Sequence, residues 1–430
     1  MSLSRRVLIG ALVVALAVLG WSIQRRPAAP PRGGPTTGLN VVLVAIDSLD
    51  PVLLSRYAES RGLIELEKLL DSGYAGTTTA APPYLPDACW MQLASGRPLS
   101  DPEIARVTDD PSGRIFGVLP RIAETASEQG ATCVSVGWPG SWPVGATEAI
   151  VVAPYAPPAV GHPKALPPAI LAEVPDAVSD PELADFVDTI ARASESRVHD
   201  LFDELILDND PEGSWREQAT ALRWALLADL VSLEIGARLL AEHQPDLTLI
   251  YLGGLDTASH RFLGPSEPET FAGIPDAIVD RYGDVIGNYY AFIDDALERI
   301  YRLREDDTIL IVCSCYGITP TVGGPGGTGA HDAGPQGFIN IRGPGIARPP
   351  SAAEVSVHDV TPTILAALGL TIPNDVAGRV LVEALPQGLA AEVPPRYVNA
   401  PEREEPPPPP EETALIERIA AERLADLRGR

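Results

Sequence analysis

The stretch that most constrains the fold of this chain runs from Thr248 to His260 and reads TLIYLGGLDTASH. It begins as an apolar run with β-branched residues and ends in two glycines, which are followed by Asp256 and His260. In open α/β sheets, a buried strand that stops in this way presents polar ligands at its carboxyl end. The two side chains offer an oxygen and an imidazole nitrogen, which are both good ligands for zinc. A simpler interpretation also fits the pair alone: Asp256 caps the next turn and His260 is an ordinary surface histidine.

The other periodic segments predict a sheet around this strand. Apolar runs indicate four further strands: Leu39–Ile46, Ala131–Gly137, Thr308–Cys313 and Gly337–Ile341. Helical spacing is found in six segments: Pro51–Leu70, Asp87–Leu93, Val118–Gln129, Trp215–His243, Ile274–Leu303 and His358–Leu368. The alternation of strands and helices predicts an α/β fold with a doubly wound sheet.

Two internal segments interrupt this alternation. Residues from about 139 to 214 contain many prolines and then acidic helical stretches, and we interpret them as a cap inserted over one end of the sheet. Gly323–Gly329 reads GGPGGTG and predicts a mobile loop. This loop lacks the GK[ST] ending of a phosphate-binding P-loop.

Charge and cysteine content exclude two classes of protein. The chain of 430 residues has 32 basic and 58 acidic side chains, a formal net charge of −26. Phosphate contacts need clustered Lys and Arg, so we expect no nucleic-acid partner. Four cysteines in a chain of this length are too few for a disulfide scaffold.

The N-terminus predicts a membrane anchor. Arg5 and Arg6 precede an uncharged stretch, Val7–Gln24, which Arg25 and Arg26 follow at once. A secretory signal would add a small-residue cleavage site after its apolar run, and no A-x-A stands between the apolar run and Arg25, so residues 1–26 are interpreted as an uncleaved anchor. Basic residues flank both ends, so charge does not orient the helix. Residues 27–38 are rich in Pro and Gly and predict a linker off the membrane.

The C-terminus predicts a second linker and a terminal helix. Residues 386–410 are rich in Pro and Glu, include five consecutive prolines, and should be extended and unpacked. Residues 411–430 have helical apolar spacing, which indicates a C-terminal amphipathic helix. This helix could dock on a protein partner or on its own domain, or stand solvated.

Four segments carry a resemblance to a known family. VVLVAIDSL ends a strand at Asp47, and ACWMQLASGRPLSD places Trp90 and Gly96 like a nucleophile helix. YLGGLDTASHRF contains an Asp-x-x-x-His signature, and GAHDAGPQGFINIRGPGI is followed by HDVTPTILAALGL. In their order and spacing these segments resemble the alkaline phosphatase superfamily, most closely its type I phosphodiesterase and nucleotide pyrophosphatase branch. Over residues 39–385 the resemblance implies a three-layer α/β/α sandwich with a mostly parallel central sheet and an inserted cap.

The resemblance implies a centre for one metal ion. Members of this family use two zinc-like ions, and one of them is held by the Asp and His of the Asp-x-x-x-His signature and by a later His. The matching positions here are Asp256, His260 and His331, and all three residue types are present. Three such ligands with one open position are typical of catalytic zinc sites. We therefore expect one divalent ion, with zinc as the metal that these ligands suit.

Most of the residues that hold the second ion in the family are replaced in this chain. Its Asp at the end of the first strand is Asp47, but the Asp-His pair is replaced by Cys315 and Tyr316. The position of the Thr or Ser nucleophile holds Pro86, which has no side-chain heteroatom and cannot attack phosphorus. Cys315 could bind zinc as a thiolate, whereas Tyr316 is a poor ligand beside histidine. The second metal site is accordingly predicted to be degenerate.

Three hypotheses for function follow. In the first, the chain is a membrane-anchored, extracytoplasmic member of the superfamily that is catalytically impaired and serves binding or scaffolding, with an unknown ligand. In the second, it is a phosphoester hydrolase that works with one zinc-like ion and a metal-bound water. In the third, it is a structural extracytoplasmic protein without metal. Turnover of a phosphodiester distinguishes the second hypothesis from the first, and the absence of bound metal would distinguish the third from both.

Overall fold

The computed structural model describes residues 34–82, 84–100, 121–139, 149–152, 214–271, 273–321, 328–331 and 333–400, with a few isolated residues between 103 and 202. The predicted anchor, the C-terminal helix and most of the predicted cap lie outside the described residues. Within the described part of the chain, no helix is both long and apolar enough to cross a membrane.

The described part of the chain contains twelve strands and ten α-helices. The strands are β1 Asn40–Ile46, β2 Tyr74–Thr79, β3 Cys133–Val136, β4 Ile150–Val152, β5 Leu247–Leu252, β6 Thr308–Cys313, β7 Thr319–Thr321, β8 Thr328–Ala330, β9 Gly337–Arg342, β10 Ala353–Ser356, β11 Thr371–Pro373 and β12 Arg396–Val398. The α-helices are α1 Pro51–Arg61, α2 Ile64–Asp71, α3 Pro86–Ser95, α4 Ile122–Ser127, α5 Ser214–His243, α6 Gly254–Ser266, α7 Asp276–Tyr282, α8 Val285–Leu303, α9 Val360–Ala367 and α10 Leu389–Glu392.

The main sheet has the strand order β10-β2-β9-β6-β1-β5-β3-β4. Strand β9 runs antiparallel to its neighbours β2 and β6, and the other neighbouring pairs are parallel. In the register of β1, Ile46 lies opposite Leu252 of β5, and Ala45 lies opposite Cys313 of β6. The carboxyl ends of β1, β5 and β6 therefore meet at one edge, which is where open α/β sheets hold their ligands.

Side chains of the central strand β1 alternate between two hydrophobic cores. Val42 and Val44 pack among the buried residues of α1, α2, α5, α6 and α8 on one face of the sheet. Val41 and Leu43 pack among those of α3, α4 and α9 on the other face. Full burial of such a side chain contributes roughly 1.5–3 kcal/mol. The predicted three-layer α/β/α sandwich with a mostly parallel sheet is confirmed.

Three predicted segments differ from the structure. The helix predicted over 51–70 is two helices, because Gly62 adopts a left-handed φ of 62° and ends α1. The helix predicted over 274–303 is also divided, since α7 is capped at Gly283 and α8 begins at Val285. Residues 389–392 form α10, and the short strand β12 pairs with β11, so part of the predicted linker is structured.

Candidate metal centre

Asp256 and His260 lie just beyond the carboxyl end of β5. Strand β5 ends at Leu252, and α6 begins two residues later, so Asp256 stands in the first turn of α6. His260 is four residues further along, on the same face of the helix. The spacing that is conspicuous in the sequence is thus a helical i, i+4 pair that points toward the edge of the sheet.

His331 comes from a distant segment that packs against α6. It follows β8, and β8 approaches α6 closely because Gly329 has no side chain: a Cβ there would lie 3.0 Å from the carbonyl oxygen of Ser259 and 2.5 Å from Cγ1 of Ile318. This close approach brings the three residues predicted as metal ligands together.

Three acceptor atoms converge at this point. His331 Nε2 lies 2.9 Å from Asp256 Oδ1 and 2.9 Å from His260 Nε2, and His260 Nε2 lies 3.3 Å from Asp256 Oδ1. The His331 side chain is 5% exposed, that of Asp256 17% and that of His260 36%, so the group opens to solvent on the His260 side.

Backbone carbonyls fix the orientation of both imidazoles. His260 Nδ1 lies 2.7 Å from the Gly329 carbonyl oxygen, and His331 Nδ1 lies 2.8 Å from that of Gly317. A carbonyl can only accept, so both Nδ1 atoms carry the hydrogen, and in the neutral rings both Nε2 atoms present lone pairs. Metal-ligating histidines are commonly oriented by a contact of this kind.

The donor set fits a divalent cation. Two imidazole lone pairs and a carboxylate oxygen face one another, and only a proton or a cation between them can relieve their repulsion. Atoms bound to a tetrahedral zinc at about 2.0–2.1 Å stand about 3.3–3.4 Å apart, close to the spacing of Asp256, His260 and His331. These three residues are also the one group of three potential ligands found within the described residues.

Electrostatics favour the ionised carboxylate in this group. Burial alone would raise the pKa of Asp256, but the hydrogen bonds that His260 and His331 donate when their Nε2 atoms are also protonated, together with the charge of those rings, hold it well below its ordinary value. Burial lowers the pKa of His260, yet the hydrogen bond and charge of Asp256 outweigh burial and raise it. A proton therefore competes with a metal ion for His260 as the pH falls.

A buried carboxylate holds the turn that precedes Asp256. Asp229 of α5 accepts hydrogen bonds from the amides of Gly253 and Gly254, at 2.8 and 3.0 Å, and from the Tyr289 hydroxyl at 2.8 Å. Gly254 must be a glycine, since a Cβ there would lie 1.6 Å from the Tyr289 hydroxyl oxygen. Sequence reasoning missed this support, because Asp229 lies far from the turn along the chain.

We expect Asp229→Ala to lower the free energy of unfolding of the metal-free protein by about 3 kcal/mol at pH 5, because two amides and a phenol lose their acceptor. Tyr289→Phe removes one of these bonds and should cost about 1 kcal/mol. Urea unfolding measures both. Equal costs for the two variants would show that Asp229 does not hold the turn.

The cost of Asp229→Ala should fall as the pH rises. Burial raises the pKa of Asp229 to about 7, although its hydrogen bonds lower it. The folded state then binds more protons than the unfolded state, whose aspartate has a pKa of about 3.9, so this residue's contribution to stability declines from about pH 4 to pH 7. Asp47 titrates in the same direction and is present in both chains, so only its charge interaction with Asp229, the smallest of the causes that shift the Asp229 pKa, enters the comparison. A cost that is larger at pH 8 than at pH 5 would contradict the assignment.

The carboxylate of the predicted second site is engaged by a tyrosine. Asp47 follows β1 and is 1% exposed. Its Oδ2 accepts a hydrogen bond of 2.6 Å from the hydroxyl of Tyr251, and its Oδ1 meets no hydrogen-bond partner among the described residues. Burial and the charge of Asp256 raise the pKa of Asp47 to about 7, against the hydrogen bond from Tyr251.

Cys315 and Tyr316, which stand where the family has its Asp-His pair, are both fully buried. The Tyr316 ring lies against that of His331, with centroids 4.1 Å apart, and its hydroxyl finds no hydrogen-bond partner in the described part of the chain. Burial raises the pKa of the Cys315 thiol well above its ordinary value, and the same holds for the Tyr316 phenol. Both groups are therefore neutral, and neither offers the anionic oxygen or free imidazole of the family's Asp-His pair.

Pro86 is the first residue of α3, where a proline is well tolerated because the amides of the first turn have no acceptor within the helix. Further along this helix, Trp90 meets Trp138 and Tyr251 edge-on, at centroid distances of 5.5 and 5.3 Å. Tyr251, which bonds to Asp47, thus belongs to an aromatic cluster with Trp90 and Trp138. His358 lies apart from the centre, and its ring contacts Gln92 and Ser356.

Three solved structures illustrate what this fold is similar to. The wild-type alkaline phosphatase PafA is 10% identical, with a TM-score of 0.50, over 83% of this chain and 99% of its own. A 2-O GAG sulfatase is 12% identical, with a TM-score of 0.48, over 81% of this chain and 74% of its own. A protein in the alkaline phosphatase superfamily from Vibrio parahaemolyticus is 16% identical, with a TM-score of 0.43, over 86% of this chain and 77% of its own. At such identities the likeness to PafA shows the fold alone. No curated protein sequence matches the chain.

The fold is thus similar to that of an alkaline phosphatase, and the described residues include one group that could hold a metal ion. Residues 41–326 match the family model described as Type I phosphodiesterase / nucleotide pyrophosphatase. This match spans well over half of the chain, so the chain belongs to that family, and the resemblance predicted from its motifs is confirmed. The matched region includes Asp47, Asp256 and His260 and ends before His331.

Proposed function

We propose that this protein is a catalytically impaired member of its family that binds one divalent ion, zinc, through Asp256, His260 and His331. In this proposal it is anchored in a membrane by its N-terminus, and its folded domain stands outside the cytoplasm. Its role is binding or scaffolding, and the C-terminal helix is a candidate contact for a protein partner.

The contrast between the two halves of the site carries this proposal. On one side, three ligand atoms converge and each imidazole has its orienting carbonyl. On the other side, the Asp47 carboxylate bonds to Tyr251, and the buried Tyr316 ring lies against His331. A nucleophile in such a centre needs an ion to lower its pKa and to hold it in line with phosphorus, and Pro86 supplies no such group.

The test is metal stoichiometry and turnover measured on the same purified full-length chain. We expect about one zinc per chain after dialysis, and hydrolysis of bis(p-nitrophenyl) phosphate and p-nitrophenyl phosphate at the level of a metal-free control. Two ions per chain, or robust turnover, would contradict the proposal. A chain that retains no zinc would favour a structural protein without metal.

A second candidate function is a hydrolase that works with a single ion. It is favoured by the 36% exposure of the His260 side chain, which leaves the centre open to solvent and to a substrate. A divalent ion at this centre would supply Lewis acidity. The protein's own part would be to orient the ligands through Gly317 and Gly329, and to exclude water from the His331 side, where Tyr316 is buried.

The proposed anchor is Val7–Gln24. An alkaline phosphatase reporter fused after residue 400 should be active in intact cells, because that enzyme gains activity only after export. It should stay in the membrane fraction after a high-salt wash, and a matched fusion that lacks residues 1–26 should lose both properties. A full-length fusion that is present in the membrane fraction but has no reporter activity would overturn the proposed orientation.

A further inference from the structure

Ser48 combines a strained backbone with complete burial. It follows Asp47 at the exit of β1 and has a φ of 59°, in the left-handed region that favours glycine. Among the described residues, the one other non-glycine residue with a positive φ is Gln244, in the turn after α5. Ser48 is 0% exposed, whereas a serine that merely tolerates a turn is usually at the surface. A retained outlier of this kind is a reason to look for a function.

The side chain of Ser48 reaches the candidate metal centre. Its hydroxyl donates a hydrogen bond of 2.5 Å to Asp256 Oδ1, across 208 positions of sequence. This is the same oxygen that faces His331 Nε2 at 2.9 Å and His260 Nε2 at 3.3 Å. Because a carboxylate oxygen has two lone pairs, Ser48 can occupy one of them while the other points to the centre between the imidazoles.

We infer that Ser48 is a positioning residue for the metal centre, holding Asp256 as a ligand through one oxygen. This inference rests on the proposed metal centre and adds a third outer contact to it. The two imidazoles are oriented by the carbonyls of Gly317 and Gly329, and the carboxylate is oriented by the Ser48 hydroxyl. The left-handed backbone at position 48 is what aims this hydroxyl back across the sheet edge toward α6.

The competing explanation is that Ser48 only forms the turn after β1. The two explanations differ in what glycine would do at this position. Glycine adopts a φ of 59° without strain, so a residue needed only for the turn could be replaced by glycine at no cost to the metal centre. If the hydroxyl holds Asp256, glycine should weaken metal binding even though it suits the backbone.

The experiment compares Ser48→Gly and Ser48→Ala in the full-length chain, with Ser95→Ala as the matched control. Ser95 is also buried, but its hydroxyl bonds to the Met91 carbonyl of its own helix. Zinc affinity is measured by competition with a fluorescent chelator, and the ligand field by the visible absorption of the cobalt(II)-loaded protein. Thermal unfolding of the metal-free proteins reports the backbone strain.

Both Ser48 variants should bind zinc about 10- to 100-fold more weakly, the usual effect of losing an outer contact to a metal ligand. Their cobalt spectra should also change, while Ser95→Ala keeps the affinity and spectrum of the natural chain. The metal-free glycine variant should unfold at a higher temperature than the alanine variant, since both lack the hydroxyl and only alanine keeps the strain.

Natural zinc affinity in Ser48→Gly would overturn the inference and leave the proposed metal centre standing. A natural chain that binds no zinc would overturn both. Zinc binding by the natural chain therefore distinguishes the two failures.

Discussion

Replacing His331 by alanine should abolish zinc binding by this protein, with a loss of affinity of more than about 100-fold, the upper end of the effect of removing an outer contact. His331 is the most buried of the three ligands, and its Nε2 faces both of the others at 2.9 Å. The change removes one of three protein ligands and leaves Asp256 paired with a partly exposed histidine. Isothermal titration with zinc measures the loss directly.

Thermal unfolding provides an independent measurement of the same prediction. A ligand that binds only the folded state stabilises it by about 4 kcal/mol at 1,000 times its dissociation constant. Zinc should therefore raise the unfolding temperature of the natural chain and leave that of His331→Ala unchanged. Because the His331 ring packs on Tyr316, the variant also leaves a cavity, so each protein is compared with its own metal-free form.

Two histidine variants serve as controls for His331→Ala. His260→Ala removes a more exposed ring and should lose zinc with a smaller effect on metal-free stability. His243→Ala removes an exposed histidine at the end of α5 and should bind zinc like the natural chain. An unchanged stoichiometry in both His331→Ala and His260→Ala would show that zinc binds elsewhere.

The parts of this site that sequence could predict are those with a local pattern. The apolar run before Gly253 predicts β5, and the spacing of Asp256 and His260 is a helical pitch, so strand, helix and ligand pair can be inferred from neighbouring residues. His331 has no such local pattern, and its assignment depended on the family resemblance alone.

Hydrogen-bond partners that the backbone supplies cannot be predicted from the sequence. The carbonyls of Gly317 and Gly329 orient the two imidazoles, but any residue has a carbonyl, and only the folded chain decides which one lies in reach. Ser48 is marked by a backbone conformation, which a sequence does not record. The bond from Tyr251 to Asp47 could not be predicted either. Alternate residues of a strand point to opposite faces of the sheet, and the apolar residues on both sides of Tyr251 do not indicate which face its hydroxyl reaches.

Restoring the missing groups should convert this protein into a phosphodiesterase. The sequence indicates three changes: Pro86→Thr for the nucleophile, and Cys315→Asp with Tyr316→His for the metal ligands. The structure adds Tyr251→Phe, because the Tyr251 hydroxyl donates to Asp47 and would compete with an ion for that oxygen. The variant with all four changes should bind a second zinc. Its rate of bis(p-nitrophenyl) phosphate hydrolysis should rise by about 10²–10⁴-fold, the scale of one well-placed catalytic group.

The single changes should achieve little, because groups that act as a unit are far from additive. The matched control carries Pro86→Ala with the other three changes. It should bind two zinc ions and remain inactive, which separates the metal ligands from the nucleophile. If the variant with all four changes binds two ions but turns over no faster than this control, the loss of these groups does not explain the proposed impairment. If the unmodified chain already hydrolyses the diester, and His331→Ala abolishes that activity, one metal centre is sufficient for catalysis. The aromatic cluster of Tyr251, Trp90 and Trp138 would then form one wall of a working active site rather than a closed remnant of the second metal site.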